Sequence, residues 1–143
     1  MMPMNRVGLT LIGVVLSLAG RMAAADVVAV VSAKSPITAL SNDQMMDIFL
    51  GKTSRYPDGA SAVPIDQAEG SPVRNEFYTA LTAKTPVQLK AYWSKIIFTG
   101  RGQPPRAVSS SAELKKRLIA DAAAIGYIER SEVDSSVKIL IQP

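Results

Sequence analysis

Hydrophobic and polar positions along this chain follow two different periods. Val27 to Val31 is an unbroken β-branched and apolar run, the pattern of a strand buried on both faces. The period then changes. Met45, Ile48 and Phe49 recur at three- and four-residue spacing behind Ser41, with Asp43 in the first turn, which predicts a capped amphipathic helix. Gly51 fits the C′ position that ends it, and Pro57-Asp58-Gly59 turns the chain. Ala62 to Ile65 reads as a short strand. Ser71-Pro72 opens a second helix bearing Phe77, Tyr78 and Leu81, and Thr85-Pro86 repeats the device for a third with Leu89, Tyr92, Trp93, Ile96 and Ile97. Thr99 to Pro105 (TGRGQPP) breaks that helix and reads as an exposed loop. Ser110 followed by Glu113 reads as a capping box for a fourth helix with Leu114, Leu118 and Ile119 inside. Ala124 to Ile128 and Val137 to Ile141 close the pattern as two strands.

The predicted order is β, α, β, α, α, loop, α, β, β. Strands alternating with helices argue an α/β domain, its sheet mixed and mostly parallel, flanked by helices. Residues 1–25 stand outside it. Arg6, the apolar run Val7 to Gly20 and Ala23-Ala24-Ala25 make the pattern of a secretory signal peptide. The competing reading is a retained anchor, for which Arg21 speaks, but the run is shorter than the roughly 20 residues a membrane span needs. Residues 26–143 then form one exported domain, too short for two.

Charge and composition narrow the chemistry. Taking away Arg6 and Arg21 lowers the net charge from +4 to +2, too little for the basic face that nucleic-acid binding requires. The chain has no cysteine and no histidine. Disulfides, thiolate chemistry, the usual zinc sites and a Ser-His-Asp triad are excluded. No pair of carboxylates has a spacing that recommends general acid–base catalysis. Neither a cofactor nor a catalytic residue is expected.

The turn Asp66 to Arg74 (DQAEGSPVR) is the leading candidate site. It follows the carboxyl end of a strand, where open α/β sheets bind ligands, and runs into a helix start, where free N–H groups and the helix dipole favour an anion. Gly70 allows close backbone approach, Ser71 offers a hydroxyl, Val73 and Arg74 offer N–H groups, and the Arg74 side chain can fold back. The same residues also make an ordinary N-cap with Arg74 in solvent. Asp66 and Glu69 repel anions in general, yet a carboxylate accepts a hydrogen bond from protonated phosphate and none from ionised sulfate. Arg101, between Gly100 and Gly102, is the second candidate, with a plain solvated connector as the alternative. Ser109, Ser110 and Ser111 at the fourth helix offer hydroxyls that could cradle an anion, with a redundant cap as the favoured reading.

The block Leu40 to Phe77 resembles the substrate-binding proteins of phosphate ABC transporters, which carry two α/β lobes of the type II periplasmic-binding-protein fold. The features that match are Leu40-Ser41, Ile48-Phe49-Leu50-Gly51-Lys52, Tyr56-Pro57-Asp58-Gly59, Val63 to Asp66 and Gly70-Ser71-Pro72. Ala124-Ile125-Gly126-Tyr127-Ile128 is similar to a strand near the family's other end. The resemblance implies a single lobe of that fold in the periplasm, with Ser71 at the position of the family's helix-start serine. Asp66 stands where the family has an arginine. It implies binding of phosphate or a related oxyanion, with a homodimer or a transporter component as further partner. The reading from a different class is an envelope interaction or sensor module without solute binding, docking through an apolar face around Tyr56 or Trp93.

Overall fold

The β-branched run of the first strand sets the centre of the molecule. The computed structural model describes residues 26–140, so the signal-peptide reading of residues 1–25 and the last residue expected in the closing strand, Ile141, lie outside them. The elements are β1 (Val27–Ser32), α1 (Asn42–Phe49), β2 (Val63–Gln67), α2 (Pro72–Thr82) and α3 (Pro86–Phe98). They continue with β3 (Arg106–Val108), α4 (Ser111–Ala120), β4 (Ala124–Glu129), a 3-10 turn at Arg130–Glu132 and β5 (Val137–Ile139). The five strands form one sheet in the order β3-β2-β4-β1-β5. β2 pairs in parallel with β3 and β4, and β1 pairs antiparallel with β4 and β5. Four strands therefore share a direction and β1 alone opposes them, the mixed and mostly parallel sheet expected.

Alternation along the central strands divides the core in two. Ala29, Val31, Ile125 and Tyr127 face α1, α2 and α3, in a cluster that includes Phe49, Phe77, Tyr78, Leu89 and Trp93. Val28, Val30, Ala124 and Ile128 face the other way, against Leu114 and Leu118 of α4. Burial on both faces is why β1 carries no polar residue before Ser32. Gly126 is the tight point. A Cβ there would stand 2.6 Å from Leu114 Cδ1, so α4 can lie close on the sheet only because that position is bare.

Several expectations are corrected. β2 runs through Asp66 to Gln67 instead of ending at Ile65. β3 was not expected, because three residues behind Pro104-Pro105 are too few to show a period. Ile119 is 58% exposed and Ile97 is 47% exposed: each lies off the buried stripe of its helix. Ser110 accepts from the Glu113 N–H, but the Glu113 carboxylate accepts from the N–H and hydroxyl of Ser109, so the box is not reciprocal. Reciprocal boxes form instead at Ser41–Gln44 and Thr85–Gln88. Tyr56 and Trp93 are buried, at 3% and 5% exposure, and neither offers a docking face. Tyr56 donates to Ala123 O at 2.8 Å.

Candidate functional site

The carboxyl ends of β2 and β3 lie side by side, with Gln67 opposite Val108. Each strand leads into a helix start, α2 from the first and α4 from the second, so two positive helix ends meet one edge of the sheet. Between β2 and α2 the chain needs a sharp reversal. Gly70 supplies it at φ +85°, a conformation that side chains with a Cβ rarely adopt. Ser71 then caps α2, its Oγ accepting from Arg74 N at 3.4 Å, and Pro72 takes the first helical position. No acid lies in the first turn of α2.

Asp66 does not belong to this turn. Its side chain is enclosed, and its oxygens accept from Gln67 N–H at 2.9 Å, Tyr78 Oη at 3.0 Å, Arg74 Nε at 3.4 Å and the Tyr127 hydroxyl. A buried carboxylate is tolerated only with such partners. The aromatic rings that supply two of them pack tightly. Phe77 stacks on Tyr127 with centroids 3.9 Å apart, and Phe49 meets both edge-on. Burial, first, and then the neighbouring Asp66 charge push the Tyr78 and Tyr127 hydroxyls far above their ordinary pKa. Both remain neutral donors at any physiological pH.

Arg74 folds back, as expected, but onto Asp66. Its side chain is 13% exposed, with the guanidinium carbon 5.2 Å from the centre of the Tyr78 ring. Only Nε is engaged. Among the described residues, Trp93 Nε1 is the sole buried side-chain polar atom without a partner, so the Nη groups of Arg74 reach solvent. The N–H groups of Gly70 and Val73 and the hydroxyl hydrogen of Ser71 also have no protein acceptor among the described residues. Four kinds of donor therefore surround the start of α2.

Arg101 stands apart. It lies in the exposed loop after α3, its N–H bonded to Ile96 O at 3.1 Å, and no hydrogen bond or ion pair among the described residues joins it to the α2 turn. A hollow of about 510 Å³ also lies elsewhere. It is bordered by Asp26, Asn42, Met45, Glu76, Phe77 and Arg130 among others, beside α2 and not at its start. Among the described residues no cluster of three or more histidine, cysteine or carboxylate side chains could hold a metal ion. Sequence reasoning missed Tyr78 and Tyr127, which anchor the acid under the site; their aromatic character in core stripes signals packing alone.

No family model and no curated protein matches the sequence. Solved structures do match. One is described as a phosphate ABC transporter substrate-binding protein from Clostridium perfringens, solved with bound phosphate, at 22% identity and a TM-score of 0.64 over 80% of this chain and 44% of that one. An ABC-type phosphate transport receptor from Vibrio cholerae gives 20% identity and a TM-score of 0.63 over 80% of this chain and 45% of the other. PstS from Borrelia burgdorferi gives 16% identity and a TM-score of 0.54, over 80% and 46%. This chain has the fold of one lobe of such proteins. It spans less than half the length of each of these three chains. At these identities the likeness carries the fold and not the ligand.

Proposed function

We propose that the chain binds phosphate or a related small oxyanion at the start of α2, and that binding, not catalysis, is its activity. The observation that carries this reading is the set of unclaimed donors there: Gly70 N–H, Ser71 O–H, Val73 N–H and the Nη groups of Arg74. Converging donors at a helix start, with an arginine beside them, suit a tetrahedral anion. The fold adds weight, because a structural neighbour that shares it holds phosphate.

In this reading Asp66 is a positioning residue. It fixes Nε of Arg74 and leaves the end nitrogens to the ligand, while its own oxygens are occupied. The acid that remains at the surface of the turn is Glu69, its side chain 71% exposed. The site is open, so affinity is weak unless a second surface covers it, a transporter component or another copy of the chain. Residues 1–25 direct the chain to the periplasm in the same proposal.

Titration calorimetry with phosphate and with sulfate tests it. Saturable heat with phosphate that disappears when Ser71→Ala and Arg74→Ala are combined is the expected result. No heat with either anion, from a folded sample, overturns the proposal in favour of an interaction module.

A further inference from the structure

The third helix shows an apolar side to the solvent as well as to the core. Leu89 and Trp93 are buried, at 1% and 5% exposure, whereas Val87 is 79% and Phe98 92% exposed. At 100° per residue Val87, Ala91, Ser94 and Phe98 fall on one line along α3, opposite Leu89 and Trp93. Ser94 hardly interrupts that line, because its hydroxyl donates to Lys90 O at 2.8 Å on the same helix. Lys90 flanks the line on one side and Lys95 on the other.

The charge around this helix is of one sign. From Phe77 to Ala112 there is no aspartate or glutamate, while Lys84, Lys90, Lys95, Arg101 and Arg106 are cationic. The rest of residues 26–143 carries a net charge of −3. Lys90 meets Glu69 at 3.6 Å, an exposed pair of little strength. Lys95 and Arg101 have no carboxylate partner among the described residues.

We propose that the outer face of α3 docks this protein on an anionic lipid surface, with Phe98 and Val87 entering the headgroup boundary and Lys90, Lys95 and Arg101 meeting lipid phosphates. An apolar stripe bounded by lysines is the form of a helix lying in a membrane interface. A protein partner fits less well, because lysine is depleted at protein–protein interfaces while its long stem suits the bilayer boundary. No described helix is long and apolar enough to cross a membrane, so α3 lies on the surface.

The absence of native cysteine allows a direct test in the full chain. A polarity-sensitive dye at Ser94→Cys is compared with one at Ser135→Cys, on vesicles of phosphatidylglycerol or of phosphatidylcholine alone. Ser135 is next to Asp134, which pairs with Lys115 of α4 on the other face of the sheet. The expected result is a blue shift at position 94 only, with phosphatidylglycerol only, reversed by high salt. In the same assay Lys95→Glu weakens the partition at least fivefold, and Phe98→Asp weakens it about tenfold. Position-specific reading separates this contact from any made by residues 1–25. No shift at position 94, an equal shift at 135, or an equal shift on neutral vesicles overturns the proposal.

Discussion

The starts of α2 and α4 are neighbours of similar build and opposite state. Both follow parallel strands at the same edge of the sheet, and both are capped by a serine that accepts from the third residue of its helix. At α4 an acid, Glu113, already stands in the first turn, although the N–H groups of Ser111 and Ala112 have no protein acceptor among the described residues. The Glu113 carboxylate folds back to take the N–H of Ser109 at 3.0 Å and its hydroxyl at 2.8 Å. Those two bonds, the backbone one first, hold the Glu113 carboxyl below its ordinary pKa. At α2 no acid stands in the first turn, and the nearest buried carboxylate, Asp66, is turned inward to two tyrosines and Arg74. Both starts keep free N–H groups, but one carries its own anion in the first turn and the other carries none. A serine N-cap is thus a poor guide to a ligand until the neighbouring acids are located.

Removal of the inward anchor has the largest expected effect. Asp66→Asn replaces an ionic acceptor of four donors with a neutral amide and is expected to destabilise the fold by about 2–4 kcal/mol. Chemical denaturation measures this, and Arg74, released from its tether, should then bind phosphate less well. A loss below about 0.5 kcal/mol would show that the carboxylate does not organise the site.

The two tyrosines that hold Asp66 give the α2 side a dependence on pH. Their pKa is raised in the fold, so they keep their protons after the unfolded chain has begun to lose its own near pH 10. Their contribution is fully present below that value. It falls by about 1.4 kcal/mol per pH unit for each tyrosine as pH rises beyond it. Tyr78→Phe or Tyr127→Phe should flatten that decline, as read from denaturation midpoints between pH 8 and 11.

The smallest effect separates the two caps. Ser71→Ala and Ser110→Ala should each cost about 1 kcal/mol of stability. Only Ser71→Ala should also weaken phosphate binding. Equal effects of the two variants on binding would make the helix starts equivalent and remove the distinction.

Much of the fold was legible because its signals are local. The two-faced apolar run of β1, the Ser-Pro and Thr-Pro starts of α2 and α3, and Gly51, which follows α1 at φ +72°, each stand where the sequence placed them. Features that depend on distant partners were not legible. Asp66 reads as a turn residue because acids are rare in buried strands. Its place in β2 depends on Tyr127, 61 residues away, which no periodicity reveals. Ser110 and Glu113 have the spacing of a capping box, yet the carboxylate prefers Ser109, a choice between adjacent donors made by side-chain geometry. Trp93 sits on its helix as a core residue should, and the apolar face that docking would need is the opposite one.

We propose that the start of α2, and not that of α4, receives an oxyanion. Following backbone amide resonances through a phosphate titration tests it residue by residue. Saturable shifts at Gly70, Ser71, Val73 and Arg74, with Ser111 and Ala112 unmoved, are the predicted result. Shifts at Ser111 and Ala112 as large as those at Gly70 and Val73, or none at either helix start, would contradict it.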